Sequence, residues 1–179
     1  RMNGSCAGGT GAFIDQMATL MNVTSDELDK LALKHEKIYP IASRCGVFAK
    51  SDIQPILNQG GRKEDVAASI FQAVVDQTIA GLTQGRELKG KIVFLGGPLH
   101  FLMGLRERFV ETLQLDEEHA IFPEDGDCFA AIGAALCASD YDAHLFDDQL
   151  KKLEESRSAV TRLNTAPPLF ESQAEYDAF

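Results

Sequence analysis

The stretch KIVFLGGPLHFLMGL, residues 91–105, constrains the fold of this chain more than any other feature. Its first part, KIVFLGG (91–97), is a continuous apolar run rich in β-branched residues that stops at two glycines, which is typical of a buried parallel strand. A helix restarts at once with Pro98 in its first turn, a favoured place for proline. A second short strand is predicted at 119–123. This alternation predicts an α/β fold rich in helices.

The rest of the chain has a helical pattern. The strongest helix is predicted at 63–84, where one broad apolar stripe runs along the sequence: Val66, Ile70, Phe71, Val74, Val75, Ile79 and Leu82. Two helices are predicted before it: 9–21, opened by Thr10, and 24–35, with a capping signature at Thr24 or Ser25. A short helix capped by Ser51 or Asp52 is expected to end at Gly60-Gly61. Later in the chain we predict a small-residue helix at 127–139, which should pack closely against a neighbour, and an amphipathic helix near 146–157.

Length and charge limit the possible classes of protein. A chain of 179 residues suits one packed domain plus an appendage, which we expect to be a domain at 1–140 and a polar extension or linker at 141–179. The net charge of -10 argues against binding to nucleic acid or to an anionic membrane, since both need a basic face. The start, Arg1-Met2-Asn3, has no secretory pattern, so we expect a cytoplasmic protein.

Glycines open two of the predicted helices. AGGTG at 7–11 precedes the first helix, and Gly96-Gly97 separates a strand from a helix. Glycine lets a ligand approach the backbone, and amides at a helix start favour anionic groups, so a nucleotide could lie between the two. Gly-Gly turns also connect strands to helices for structural reasons alone. Neither segment is a Walker loop or a GxGxxG motif, so both interpretations stay open.

The four cysteines do not form a CxxC pair. Cys6 and Cys45 each lie near the start of a predicted helix, where the helix dipole favours the thiolate that binds iron–sulfur clusters. Two thiolates are too few for a cluster, but a twofold dimer presents four. The alternative is that both are small buried residues. Cys128 and Cys137 are expected to pack in the core.

Four ordered segments give the chain a family resemblance. They are NGSCAGGTGAFIDQMA, SRCGVFAKSDI, VFLGGPLHFLMGLRE and DCFAAIGAALCA, and together they span about residues 2–139. The chain thereby resembles the ATP-dependent activators of 2-hydroxyacyl-CoA dehydratases and the benzoyl-CoA reductase ATPase subunits, the BadF/BadG/BcrA/BcrD group. The resemblance implies an actin/Hsp70/sugar-kinase fold.

The resemblance also implies a mechanism and a set of site residues. Members are homodimers that hold one [4Fe-4S] cluster at the subunit interface and hydrolyse ATP with Mg²⁺ to drive a low-potential electron into an acyl-CoA dehydratase or reductase. Cys6 and Cys45 resemble the cluster ligands. Gly9, Thr10 and Gly11 resemble the helix start that contacts the nucleotide, and Gly96 and Gly97 resemble the adenosine motif.

The family's phosphate loop and its Asp-Gly-Gly segment, which precede the first cysteine, do not occur in this sequence. We therefore interpret the chain as the C-terminal lobe of a larger activase, and expect little or no ATP hydrolysis from this lobe alone. Two other interpretations remain. One is a kinase-like or chaperone-like nucleotide-binding lobe of the same superfold without a cluster, and the other is an interaction module that binds neither ligand.

Overall fold

A computed structural model gives the fold and describes residues 11–42, 46–138, 145–158, 169–170 and 172–179. Contacts along the chain divide it into two compact units, Arg1–Ala134 and Ala135–Phe179. Each is described separately below.

The first unit is made of helices and one small sheet. In chain order the elements that begin in it are α1 (Gly11–Met21), α2 (Ser25–Ala32), α3 (Gly46–Asn58), α4 (Lys63–Thr83), β1 (Ile92–Val93), α5 (Gly97–Phe101), α6 (Met103–Leu113), β2 (Ala120–Ile121) and α7 (Phe129–Cys137). The predicted helix-rich α/β composition is confirmed.

Helix α4 is the centre of the core. It packs against α1, α2, α3 and α6. Every residue from Asp65 to Phe71 is buried, so the helix is enclosed on all sides over two turns rather than along the predicted stripe. Near its end the stripe leaves the core, and Leu82 is 42% exposed. Although α4 has the length and hydropathy of a membrane span, such burial is typical of the central helix of a globular core.

Both predicted strands form, and they pair with each other in parallel. Ile92 pairs with Ala120 and Val93 with Ile121. The strand is not fully buried, however, because only one face is covered by helices among the described residues. Phe94 packs inward and is 7% exposed, whereas Val93 is 48% exposed. Phe94 stacks on Phe122, with ring centroids 4.7 Å apart.

The helix starts were predicted with mixed success. Thr24 caps α2 as expected: its hydroxyl accepts from the Glu27 N–H, and the Glu27 carboxylate accepts from the Thr24 N–H at 2.8 Å. The predicted start of α3 at Ser51 or Asp52 was wrong, because the helix begins at Gly46. Ser51 instead donates to the Val47 carbonyl one turn earlier, and Asp52 accepts from the Ala42 N–H outside the helix.

Two further expectations need correction. The helix after Gly96-Gly97 is not continuous, since Leu102 adopts an extended conformation and separates α5 from α6. Helix α7 does not pack closely either, because it has no buried residue, and Cys128 and Cys137 are exposed rather than in the core. Small residues gave α7 the composition of a packed helix, but among the described residues nothing covers it.

In its described residues the second unit has helices α8 (Phe146–Ser158) and α9 (Gln173–Ala178) after the end of α7. The first confirms the predicted amphipathic helix, and the second was not predicted. Ser172 caps α9 by accepting from the Glu175 N–H, and the Phe170 ring contacts the rings of Tyr176 and Phe179.

Candidate functional site

The first turns of α1 and α5 meet in the structure. A Cβ atom placed on Gly11 would lie 3.8 Å from Cγ of Pro98, which is van der Waals contact. The two glycine-opened helix starts, far apart in the sequence, are therefore neighbours. Helix N-termini carry partial positive charge, so the start of α1 offers a favourable environment for an anionic group near this turn.

Gly96 and Gly97 border open space at the end of strand β1. A Cβ atom on either glycine would have no atom within 4 Å among the described residues. Gly96 has a φ of +103° and a ψ of 158°, a conformation that essentially only glycine adopts. Ligands of parallel sheets bind at the carboxyl ends of the strands, which is where this opening lies.

The loop between β2 and α7 forms a second boundary of the same region. The Gly96 N–H donates to the Gly126 carbonyl at 2.9 Å, which joins this loop to the glycine turn. Next to it, His100 Nδ1 lies 3.6 Å from Asp127 Oδ1. Gly126 is buried, and a Cβ atom there would approach the Pro123 carbonyl to 3.2 Å. The glycine turn and the loop are thus in close contact.

Arg106 holds the far end of α5. Its guanidinium donates to the Leu99 and His100 carbonyls at 2.5 and 2.6 Å and lies 4.9 Å from the centre of the Phe122 ring. These carbonyls lie at the end of a short helix and would otherwise lack a protein donor. Arg106 therefore ties α5 both to α6 and to the segment that follows β2.

The extended segment 36–42 leads from α2 towards Cys45 and is held by side chains of two helices. Asp65 Oδ1 accepts from the N–H groups of Glu36 and Lys37 at 2.8 and 3.2 Å. Ser69 accepts from the Tyr39 N–H at 2.7 Å, and Asp52 accepts from the Ala42 N–H at 2.8 Å. The Glu36 N–H is the main reason that the pKa of Asp65 is lowered. The path of the chain is therefore fixed up to residue 42.

The predicted site residues divide into two groups. The structure brings Gly11 together with the turn that contains Gly96 and Gly97. Cys6, Gly9, Thr10 and Cys45 lie outside the described residues. Because α3 begins at Gly46, Cys45 directly precedes a helix of 13 residues, closer to its start than predicted.

Cys128 and His119 each have an acidic neighbour. The pKa of the exposed Cys128 thiol is raised, chiefly by the neighbouring Asp127 carboxylate, so this cysteine disfavours the thiolate form. The Nδ1 atom of His119 lies 2.6 Å from Asp116 Oδ1. Within the described ranges no group of three metal-binding side chains occurs.

Sequence reasoning missed Asp29, Arg106 and Asp127 as residues that organise this region. Asp29 accepts from the Met103 and Gly104 N–H groups, 74 and 75 positions later in the sequence. Arg106 follows the glycine turn on the next helix, and its spacing alone gives no sign of a bond to α5. Only the acidic run EDGD at 124–127 was a visible signal, since carboxylates beside a glycine often mark a turn.

Known proteins resemble this chain over most of its length. The model of the BadF/BadG/BcrA/BcrD ATPase family matches residues 1–138. The (R)-2-hydroxyglutaryl-CoA dehydratase activating ATPase of Acidaminococcus fermentans is 37% identical over 138 residues, which are 77% of this chain and 51% of the relative. The 2-hydroxyisocaproyl-CoA dehydratase activator of Clostridioides difficile is 30% identical over 139 residues, 78% of this chain and 50% of the relative.

A solved structure gives the same result. The activator of the 2-hydroxyisocaproyl-CoA dehydratase from Clostridium difficile, solved with bound ADPNP, superposes with a TM-score of 0.65 at 26% identity, covering 89% of this chain and 54% of that one. The expected actin-like ATPase fold is thereby confirmed. The chain spans about half the length of the curated relatives it matches. With the family model matching more than three quarters of its residues, this chain belongs to the BadF/BadG/BcrA/BcrD ATPase family.

Proposed function

We propose that this chain is the nucleotide-binding lobe of an ATP-dependent activator of an acyl-CoA dehydratase or reductase. The observation that carries the proposal is the contact between Gly11 and Pro98 beside the open space at Gly96 and Gly97. The start of α1 lies near the turn that opens α5, and the glycines leave room for a ligand against the backbone. A structure of the same fold was solved with bound ADPNP, which supports nucleotide binding by this lobe.

The proposed nucleotide contacts are those that the family resemblance implies. Gly9, Thr10 and Gly11 form the α1 side of the proposed site, and Gly96 and Gly97 form the α5 side. ATP or ADP with Mg²⁺ is the proposed ligand. The phosphates are anionic, so they suit the start of α1, which has eleven residues and no acidic side chain in its first turn. We expect the residues that complete Mg²⁺ binding and hydrolysis to lie outside this lobe.

We further propose that Cys6 and Cys45 bind a [4Fe-4S] cluster shared across a homodimer. Support comes from the chain around them: Cys45 directly precedes α3, and the segment up to residue 42 is held by Asp65, Ser69 and Asp52. A thiolate at a helix start is stabilised by the dipole, and a twofold axis turns two thiolates into four. The cluster would supply one low-potential electron.

The proposed partner is an enzyme that acts on acyl-CoA substrates, because the relatives are activators of such dehydratases. Nucleotide binding and hydrolysis would change the positions of helices around the cluster and so its environment. We assign the protein to the cytoplasm, where thiols stay reduced and a thiolate-bound cluster can form.

A titration with ADPNP tests the nucleotide site. We expect Gly97→Val to lower the affinity at least about tenfold, because the new side chain would project into the open space without a clash elsewhere. The readout is calorimetry or the change in fluorescence of a labelled nucleotide.

Gly133→Val is the matched control. A Cβ atom on Gly133 also meets no atom within 4 Å among the described residues, but this glycine lies on α7. We expect the control to bind ADPNP as the wild type does. If the wild type and Gly97→Val bind ADPNP with equal affinity, the nucleotide does not bind at this site and the proposed function is wrong.

A further inference from the structure

Asp29 is a buried carboxylate that lies outside the proposed nucleotide contacts. It lies on α2, and only 7% of the residue is exposed. Its Oδ1 accepts from the Gly104 N–H at 2.7 Å, and its Oδ2 accepts from the Met103 N–H at 3.1 Å. Both donors belong to the first turn of α6.

These two bonds replace a cap that α6 lacks. The residue at its N-cap is Leu102, whose side chain cannot accept a hydrogen bond. The first N–H groups of a helix have no partner within it, and a carboxylate also interacts favourably with the dipole. Asp29 therefore caps α6 from a different helix.

The backbones of α2 and α6 approach closely at the same point. A Cβ atom on Gly104 would lie 3.1 Å from Cβ of Ala32, 3.1 Å from Asp29 Oδ1 and 3.3 Å from the Asp29 carbonyl oxygen. Such distances are shorter than ordinary van der Waals contact, so a larger residue at 104 would move the two helices apart. The close approach of α2 and α6 therefore depends on both Gly104 and the Asp29 carboxylate.

A chain of contacts connects this point with both sides of the proposed nucleotide site. On one side, α6 is separated from α5 by Leu102 alone, and Arg106 binds the carbonyls of Leu99 and His100. On the other side, α2 is joined to α1, and Ser25 donates to the Asp15 carboxylate. The position of α6 against α2 thus determines the position of the glycine turn against the start of α1.

We propose that Asp29 is a positioning residue for nucleotide binding, which holds the Gly96-Gly97 turn at a fixed distance from the first turn of α1. The proposal rests on the nucleotide site proposed above. Burial raises the pKa of Asp29, chiefly by desolvation, so the ionised carboxylate is costly to keep in this place. Because burying the Asp29 carboxylate costs stability, we expect this residue to contribute more to nucleotide binding than to the stability of the fold.

The test compares Asp29→Asn with Asp26→Asn, an exposed carboxylate on the same helix. An amide can accept from only one of the two N–H groups, and its own NH₂ would face the other. We expect Asp29→Asn to weaken ADPNP binding about tenfold and Asp26→Asn by less than about twofold. The melting temperature of Asp29→Asn should stay close to that of the wild type, since a neutral amide avoids the cost of burying a charge.

Hydrogen exchange of the amides in 96–101, measured without nucleotide, is the second readout. Asp29→Asn should speed up this exchange, whereas a local role in α6 would leave it unchanged. Gly104→Ala, which separates the same two helices, should show the same increase.

Wild-type exchange at 96–101 in both Asp29→Asn and Gly104→Ala would overturn the positioning role, and so would wild-type ADPNP affinity in Asp29→Asn. If the wild type itself fails to bind ADPNP, the proposed nucleotide site is wrong. The exchange data then still decide whether Asp29 holds the glycine turn.

Discussion

Gly96 and Gly97 are adjacent, but the absence of a side chain matters for a different reason at each position. Gly96 needs the absence of a side chain for its own backbone, because its φ is +103°. Gly97 begins α5 and has open space around its Cβ position, so a side chain there would occupy the space proposed for the nucleotide. One glycine therefore shapes the turn, and the other keeps the proposed site open.

This difference gives a prediction at the level of single residues. Gly96→Ala should lower the free energy of unfolding by about 1–3 kcal/mol, because an L-residue is strained in this conformation. Gly97→Ala should change it by less than about 0.5 kcal/mol, since the added methyl group meets nothing within the described structure. Urea unfolding followed by circular dichroism measures both. Equal losses of stability in the two variants would show that the turn at 96 is not the conformation described.

At the level of elements, segment 36–42 shows how helices can hold an extended chain without a sheet. Its N–H groups are bound by side chains of α3 and α4 rather than by a neighbouring strand. Buried or half-buried amides need an acceptor, and Asp65 and Ser69 are both less than 5% exposed. This explains why polar residues interrupt the apolar sequence of α4.

Asp65→Ala should therefore destabilise the protein by about 2 kcal/mol, because two N–H groups lose a charged acceptor. Asp76→Ala is the matched control on the same helix. Its carboxylate is exposed and accepts from Gln72, so its loss should cost less than about 0.5 kcal/mol. Urea unfolding at neutral pH distinguishes the two, and a difference near zero would contradict the described role of Asp65.

The same residue gives a dependence on pH. The pKa of Asp65 is lowered from 3.8, first of all by the Glu36 N–H, so its contribution to stability is complete above that value. The contribution is lost as the pH falls through the lower pKa of the folded state. Unfolding curves of the wild type should thus converge with those of Asp65→Ala in acid. If the difference in stability between the wild type and Asp65→Ala stays constant as the pH falls below 3.8, this assignment is wrong.

Local patterns predicted the elements whose causes are local. The capping box of α2 was visible in the sequence because Thr24 and Glu27 bond each other. The break at Leu102 was not visible, since the carboxylate that caps α6 belongs to α2. For the same reason the start of α3 was misplaced: Asp52 resembles a cap, but its acceptor atom is used by Ala42. The small residues of helix α7 suggested close packing. Composition does not show whether a neighbour is there to pack against, and α7 has no buried residue.

At the scale of the whole molecule, the proposed site was predictable only in part. The glycine pattern and the family resemblance identified Gly11, Gly96 and Gly97, and the structure brings them to one region. That Asp29 and Arg106 fix the distance between the two sides depends on contacts between helices far apart in the sequence. The chain spans about half the length of the relatives it matches.

The central claim is that this nucleotide-binding lobe also holds iron through Cys6 and Cys45 of two subunits. Anaerobic reconstitution with iron and sulfide, followed by iron analysis and absorption near ~400 nm, tests it most directly. The account predicts about two iron atoms per chain in a dimer for the wild type and for Cys128→Ala, and loss of iron and colour in Cys6→Ser and Cys45→Ser. A colourless wild type, or iron that remains in both serine variants, would contradict it.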